Sequence, residues 1–382
     1  MKRSPVKNVP WRTADCAVDP RAHRAFSITS VVRAEREIPI SEHRLLGLPF
    51  ADLLTFSCPE PDRRAVLVIA PLAGAFPVLL RDLVLGLLRF RATVAVTDWF
   101  DARFVPQAAG RFGLEDNIRS VLTMIRTLGA NPHVVAVCQG VIPALAATAL
   151  LSADEPEVAP CSLILVAGPV DPLVNPTRAV RLARSHPLSW FEKNVIEAVP
   201  GGYPGEGRLV CPKSVQLRTL MAYIGRHTAE SRELFWKLMS DDGEDPIRFP
   251  FWSLALSLMD LPAEFFLEHI RCVFDTRDLC RGTLQVAGRP VDLRAIKWTA
   301  LMTVEGEDDD IVGPGQTQVA HALCPAVSAE KHEHMAVPRS GHFSLFHGAI
   351  CRSRVLPEMA QFMTRAEQSW PGARDQQRQA AQ

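Results

Sequence analysis

The 382-residue sequence predicts an α/β fold: a doubly wound, mostly parallel sheet carrying a mainly helical insertion. Three observations point to it. Short runs of continuous apolar, β-branched residues recur along the chain, as expected of strands buried on both faces. Helical patterns lie between them, and strand alternating with helix is the signature of this architecture. One long stretch, 170–295, breaks the alternation with aromatic-rich helical segments instead.

Taken in order, residues 1–42 are rich in Arg, Pro and charge without sustained periodicity, and read as an extended or poorly ordered N-terminal arm. A core is expected over 43–169 and 296–368. Its strands are "RAVLVIAP" (64–71), "TVAVTDW" (93–99), "HVVAVC" (133–138), "SLILVAG" (162–168), "TALMTVEG" (299–306) and "HMAVP" (334–338). The clearest helix runs from Glu115 to Leu128. Ile118, Val121, Leu122 and Ile125 share one face, acidic residues fill its first turn, and Gly129 stops it. Within 170–295, "SWFEKNVIEAV", "SRELFWKLMSDD" and "FFLEHIRCVFDT" read as helices of a lid over the C-terminal edge of the sheet, where α/β proteins keep their sites. Residues 369–382 read as a disordered tail.

Composition excludes several classes. Lys+Arg and Asp+Glu both number 42, so no net charge draws the chain to nucleic acid or an anionic membrane. The nine cysteines are scattered, with no zinc-type spacing, and suggest free thiols in a reducing cytoplasm. The basic start "MKRSPVKNVPWRTADC" is followed by no apolar stretch, so no secretory signal is expected. No apolar run reaches the roughly 18 residues of a membrane span. His332 and His334 form an H-x-H pair without a third ligand in view, so neither a metal nor a cofactor is expected.

The chemistry concentrates at strand ends. In Ala136-Val137-Cys138-Gln139-Gly140, a buried strand turns directly into an Ala/Leu-rich helix, with small residues two positions either side of a thiol. This is the steric pattern of a nucleophile elbow with Cys replacing Ser. The turn aims free helix N–H groups at the site, where they favour a thiolate and an oxyanion. The competing reading is a buried structural cysteine. Next, "LMTVEGEDDDIVGPGQT" sets Glu305, Glu307, Asp308, Asp309 and Asp310 after a strand, either as a solvated acidic loop or as the source of an acid that orients a histidine. Finally, "VPRSGHFSLFHG" sets His342 in a loop after the last strand. Nucleophile, acid and histidine then follow the chain order of an α/β-hydrolase. An oxyanion hole would take the backbone N–H of Gln139 and one from the loop around Leu72 and Ala73, in "PLAGAF".

"PLAGAFPVLLRDLV", "VTDWFDARFVPQAAGRFGLEDNI", "VAVCQ", "PLSWFEKNVI", "MDLPAEFF" and "LMTVEGEDDDIVGPGQTQVAHALC" together resemble the intracellular polyhydroxyalkanoate (polyhydroxybutyrate) depolymerases, over roughly residues 45 to 365. The resemblance implies an α/β-hydrolase with a cysteine nucleophile at Cys138, its acid at Asp309 and its histidine at His342. It also implies hydrolysis of stored polyester, or of 3-hydroxyacyl oligomers, by a cytoplasmic enzyme at the storage granule. The chain departs from the family in having Gly140 where Pro usually follows Cys-Gln, in the run around His342 and in a more divergent N-terminal region. The residues leave open an acyltransferase of the related synthase type, a non-catalytic granule-binding homologue, coenzyme A as the acyl acceptor, and a homodimer.

Overall fold

The computed structural model describes residues 26–59, 64–73, 79–129, 131–230 and 258–371. Its centre is an eight-stranded sheet. The strands are β1 (Ser41–Gly47), β2 (Ala51–Ser57), β3 (Val66–Ile69), β4 (Thr93–Trp99), β5 (His133–Val137), β6 (Ser162–Val166), β7 (Ala300–Gly306) and β8 (His332–Val337), in spatial order β8-β7-β6-β5-β3-β4-β2-β1. From β8 to β4 all pairs are parallel, and β2 and β1 extend the sheet antiparallel. Every residue of β3, β5, β6 and β7 is buried, which is why those strands read as unbroken apolar runs. This is an α/β-hydrolase fold.

The six parallel strands are those expected from the sequence; β1 and β2 are additional. β1 is mostly exposed and polar, and β2 holds Asp52, fully buried in the ladder and 3.8 Å from Arg44 on β1. Both features mask a strand's apolar pattern. The reading of 1–42 as an arm divides in two. Residues 1–25 lie outside the described residues, whereas 26–42 pair and pack. Ser30–Arg33 and Arg36–Pro39 form a hairpin whose turn residues Ala34 and Glu35 have positive φ. Phe26 is buried edge-on against Phe56 at 5.1 Å, and the Arg33 guanidinium donates to the Leu88 carbonyl at the end of helix α1 (Arg81–Leu88).

Helix α2 (Leu114–Leu128) buries Leu114, Ile118, Val121, Met124 and Ile125 and ends at Gly129 with φ +77°. Its free first N–H groups find carboxylates: Asp116 accepts from Gly113, and Glu268, from the insertion, accepts from Leu114 at 2.7 Å. Helix α3 (Val141–Asp154) is buried from Val141 to Leu151, its many alanines letting it lie close to the sheet. Helix α4 (Leu356–Ser369) closes the fold.

Within the insertion, helices span Arg178–Arg184, Leu188–Asn194, Lys213–Glu230 and Ala263–His269, the last continuing as a wider π turn over Ile270–Asp275. A small antiparallel sheet of Glu197–Ala198, Leu209–Cys211 and Leu261–Pro262 joins them. The segment "SRELFWKLMSDD" lies outside the described residues, as do 372–382 of the tail. Two arginines fasten the insertion to the segment after β4. Buried Arg208 donates to the carbonyls of Val105, Pro106 and Gly110 and lies over the Phe50 ring at 5.0 Å. Arg103 pairs with Asp260 at 2.8 Å, while Asp260 also accepts from Lys213 N–H.

Candidate active site

The turn after β5 is strained in the way a nucleophile elbow requires. Cys138 has φ +52°, a left-handed conformation that costs a non-glycine residue about 1–3 kcal/mol. Tight neighbours hold it. A Cβ on Gly140 would lie 2.7 Å from the Ile69 carbonyl oxygen, so only glycine lets the new helix pass this close to β3. Cys138 is partly accessible at the C-terminal end of the sheet. The described cysteines are all free thiols. Burial pushes Cys161, Cys211, Cys272, Cys280 and Cys324 up to about 12, and Cys351 well above its ordinary value. Those six are protonated and unreactive at neutral pH.

The acidic loop after β7 sorts its five carboxylates by what they touch. Glu307 and Asp308 are exposed. Glu305 is buried and accepts from the N–H groups of Gly315, Thr317 and Gln318, shaping the loop rather than facing the elbow. Asp310 is partly buried. Asp309 is buried, with Oδ1 accepting from Ile311 and Val312 N–H, both at 2.9 Å, and Oδ2 2.8 Å from His342 Nδ1. Two backbone bonds on one oxygen fix the carboxylate and leave the other for the ring.

His342 is 3% exposed, with Phe343 and Phe346 edge-on at 5.4 and 5.5 Å. Its loop is stitched to the acidic loop: Asp308 N–H donates to Ser340 O at 3.0 Å, and a Cβ on Gly306 would lie 2.3 Å from that same oxygen. Burial works against a charged ring here. The Asp309 carboxylate and the Cys138 sulfur, by charge and by hydrogen bonding, outweigh it and hold the imidazole well above its ordinary value. Cys138, His342 and Asp309 are thus brought together from the ends of β5, β8 and β7.

Of the expected oxyanion donors, Ala73 N–H donates to the Gln139 side chain, Oε1, at 3.0 Å. No described residue accepts from Leu72 N–H. Sequence reasoning missed what holds this loop. Thr97 Oγ1 accepts from Ala70 N–H at 2.9 Å and Trp99 Nε1 donates to Ala70 O at 2.8 Å, both from β4. The "TDW" motif was the available signal. It also missed His321, which joins the H-x-H pair: its Nδ1 lies 2.6 Å from His332 Nδ1, and Thr303 Oγ1 lies 2.8 Å from both His321 Nε2 and His334 Nδ1. Burial and the two neighbouring imidazoles take His321 down to about 4. Among the described residues no group of three or more His, Cys, Asp or Glu could hold a metal ion.

The family model described as the PHB de-polymerase C-terminus matches residues 167–367, more than half of the chain. The chain belongs to the PHB depolymerase family. The matched residues include Asp309 and His342, and Cys138 lies upstream of them. Membership makes the chain an ester hydrolase. No curated protein matches it. Solved structures similar to this depolymerase-family chain include epoxide hydrolase A from Mycobacterium thermoresistibile (14% identity, 85% of this chain and 98% of that one, TM-score 0.49). A monoacylglycerol lipase from Paleococcus ferrophilus (13% identity, 83% and 99%, TM-score 0.47) and a thermophilic esterase from Thermogutta terrifontis (12% identity, 85% and 99%, TM-score 0.47) are similar to it as well. No helix among the described residues is long and apolar enough to cross a membrane.

Proposed function

We propose that the chain hydrolyses the ester bonds of stored polyhydroxyalkanoate, or of its 3-hydroxyacyl oligomers, through a thioacyl-enzyme on Cys138. The observation that carries this reading is the convergence of Cys138 and Asp309 on one buried imidazole. Asp309 binds Nδ1–H, which leaves Nε2 to take the Cys138 proton. The thiolate sulfur attacks the ester carbonyl carbon, and the carbonyl oxygen becomes an oxyanion received by backbone N–H groups at Gln139 and the 72–73 segment. The carbon–oxygen bond to the leaving chain breaks, and His342 returns its proton to the departing alkoxide. A water then attacks the thioester, His342 takes that water's proton, and a 3-hydroxyacid end is released as the thiol re-forms.

The insertion over 170–295 serves as the lid in this reading, excluding water and offering apolar surface to a water-insoluble substrate. Its exposed Leu173, Leu182, Trp190, Leu209 and Met221 support that role, and with it a place for the enzyme at the cytoplasmic storage granule. The test is release of 3-hydroxyacid from amorphous polyhydroxybutyrate granules. Wild type is expected to release acid and Cys138→Ala to release none while keeping its circular-dichroism spectrum. Full activity in Cys138→Ala refutes the proposal.

A further inference from the structure

Just after β3, the backbone facing the elbow is held by side chains at three polar groups. Ile69 O lies against Gly140, Ala70 N–H and Ala70 O are held by Thr97 and Trp99, and Ala73 N–H is held by the Gln139 side chain. Leu72 N–H, in the middle of this span, is accepted by no described residue. Gln139 adjoins the sulfur-bearing residue in sequence, so one residue reaches from the elbow to the facing loop.

We infer that Gln139 is a positioning residue: its side-chain amide, by engaging Ala73 N–H, sets the backbone of the 72–73 segment so that Leu72 N–H serves as the second oxyanion donor. This deepens the proposed ester hydrolysis and rests on it. The two expected loop donors thereby separate. Ala73 N–H is spent on the brace, and Leu72 N–H remains for the substrate. A donor aimed in advance stabilises charge that develops only in the transition state, whereas a donor free to swing must be ordered at that moment. Methionine at 139 keeps the length and volume of glutamine but accepts no comparable hydrogen bond, so it releases Ala73 N–H without opening a cavity.

The experiment compares two reactions of the same sulfur. Acylation by p-nitrophenyl 3-hydroxybutyrate passes through an oxyanion; alkylation by iodoacetamide does not. In Gln139→Met, kcat and the acylation burst rate are expected to fall about tenfold or more, since loss of a whole oxyanion donor costs about 10²–10³. KM and the alkylation rate at Cys138 should stay within about twofold of wild type. Acylation retained within twofold overturns the inference. So does a parallel fall in alkylation, which would place Gln139's effect on the thiol or on the elbow as a whole. If Gln139→Met does not fold, Gln139→Ala is judged by the same pair of rates. Wild type that is alkylated rapidly but forms no acyl-enzyme and hydrolyses no ester overturns the reading beneath the inference instead.

Discussion

Asp309 and Asp308 are adjacent carboxylates of the same chemistry, and only their surroundings separate them. One is exposed; the other is buried with an oxygen on His342 and two backbone N–H groups on its second oxygen. Asp309→Asn replaces an acceptor with an amide that cannot hold the ring in the same tautomer, and kcat on a soluble ester is expected to fall by about 10²–10⁴. Asp308→Asn should stay within about twofold, in steady-state rates under the same conditions. Equal losses in the two variants would make the acidic loop a diffuse electrostatic feature. The sequence alone offered five carboxylates, and the resemblance to a family, not spacing, chose among them. What distinguishes them is which backbone N–H each meets, and that depends on a turn geometry no periodicity reports. Cys138 was more legible, because it directly follows a buried strand whose apolar run marks the strand end sharply; His342 lies in the loop beyond the mostly unburied edge strand β8, and its place in the chain order picked it out.

At the scale of elements, the elbow and the last helix carry separate predictions. Gly140 has ordinary helical φ, so its demand is purely spatial. Gly140→Ala places a Cβ against a backbone oxygen of β3, and overpacking of this kind costs about 1–3 kcal/mol. The expected result is a lower urea midpoint with unchanged slope; an unchanged midpoint would mean the β3–α3 approach is loose. At the opposite end of the sheet, α4 is anchored by a polar chain that runs from the core to the half-buried Glu367: Ser162 Oγ–His133 Nδ1 at 2.8 Å, His133 Nε2–Glu367 at 2.9 Å and Glu367–Arg91 at 2.5 Å. Burial alone would raise the Glu367 carboxyl, but His133 and Arg91 take it down to about 2 from its ordinary 4.5. A carboxyl lowered in the folded state lends stability above its ordinary value and loses it as pH falls toward the lowered one. Burial also lowers His133, so the unfolded chain gains a proton first as pH drops below about 6.5, again weakening the fold in acid. Glu367→Gln should therefore be less stable than wild type by a margin that is constant from about pH 6 to 8 and narrows below about pH 4.5. A margin that stays flat to pH 3 in thermal melts would show that the pair contributes no net charge interaction.

Across the whole molecule, five of the six parallel strands were legible because a strand covered on both faces has no polar face to interrupt its pattern; β8, an edge strand with only Val337 buried, was legible from its short apolar end alone. The antiparallel pair β1 and β2 was not, since one is a polar edge and the other carries a buried aspartate. The hairpin at 30–39 escaped for a related reason: its strands are four residues each, largely exposed, and held by contacts to distant Leu88 and Phe56. The insertion was legible as a break in rhythm, but not as a body fastened by Arg208 and the Arg103–Asp260 pair, because such contacts join residues about 100 or more apart in sequence. The consequence of the fold as a whole is that the ends of β5, β7 and β8 deliver a thiol, a carboxylate and an imidazole to one place. The most direct test is to quench the enzyme within its first turnover of a 3-hydroxybutyryl ester and find the acyl group by peptide mass spectrometry. The account predicts one acyl adduct on the Cys138 peptide, removed by neutral hydroxylamine and absent from Cys138→Ala. Turnover with an adduct on another residue, or with Cys138→Ala hydrolysing the ester at the wild-type rate, would contradict it.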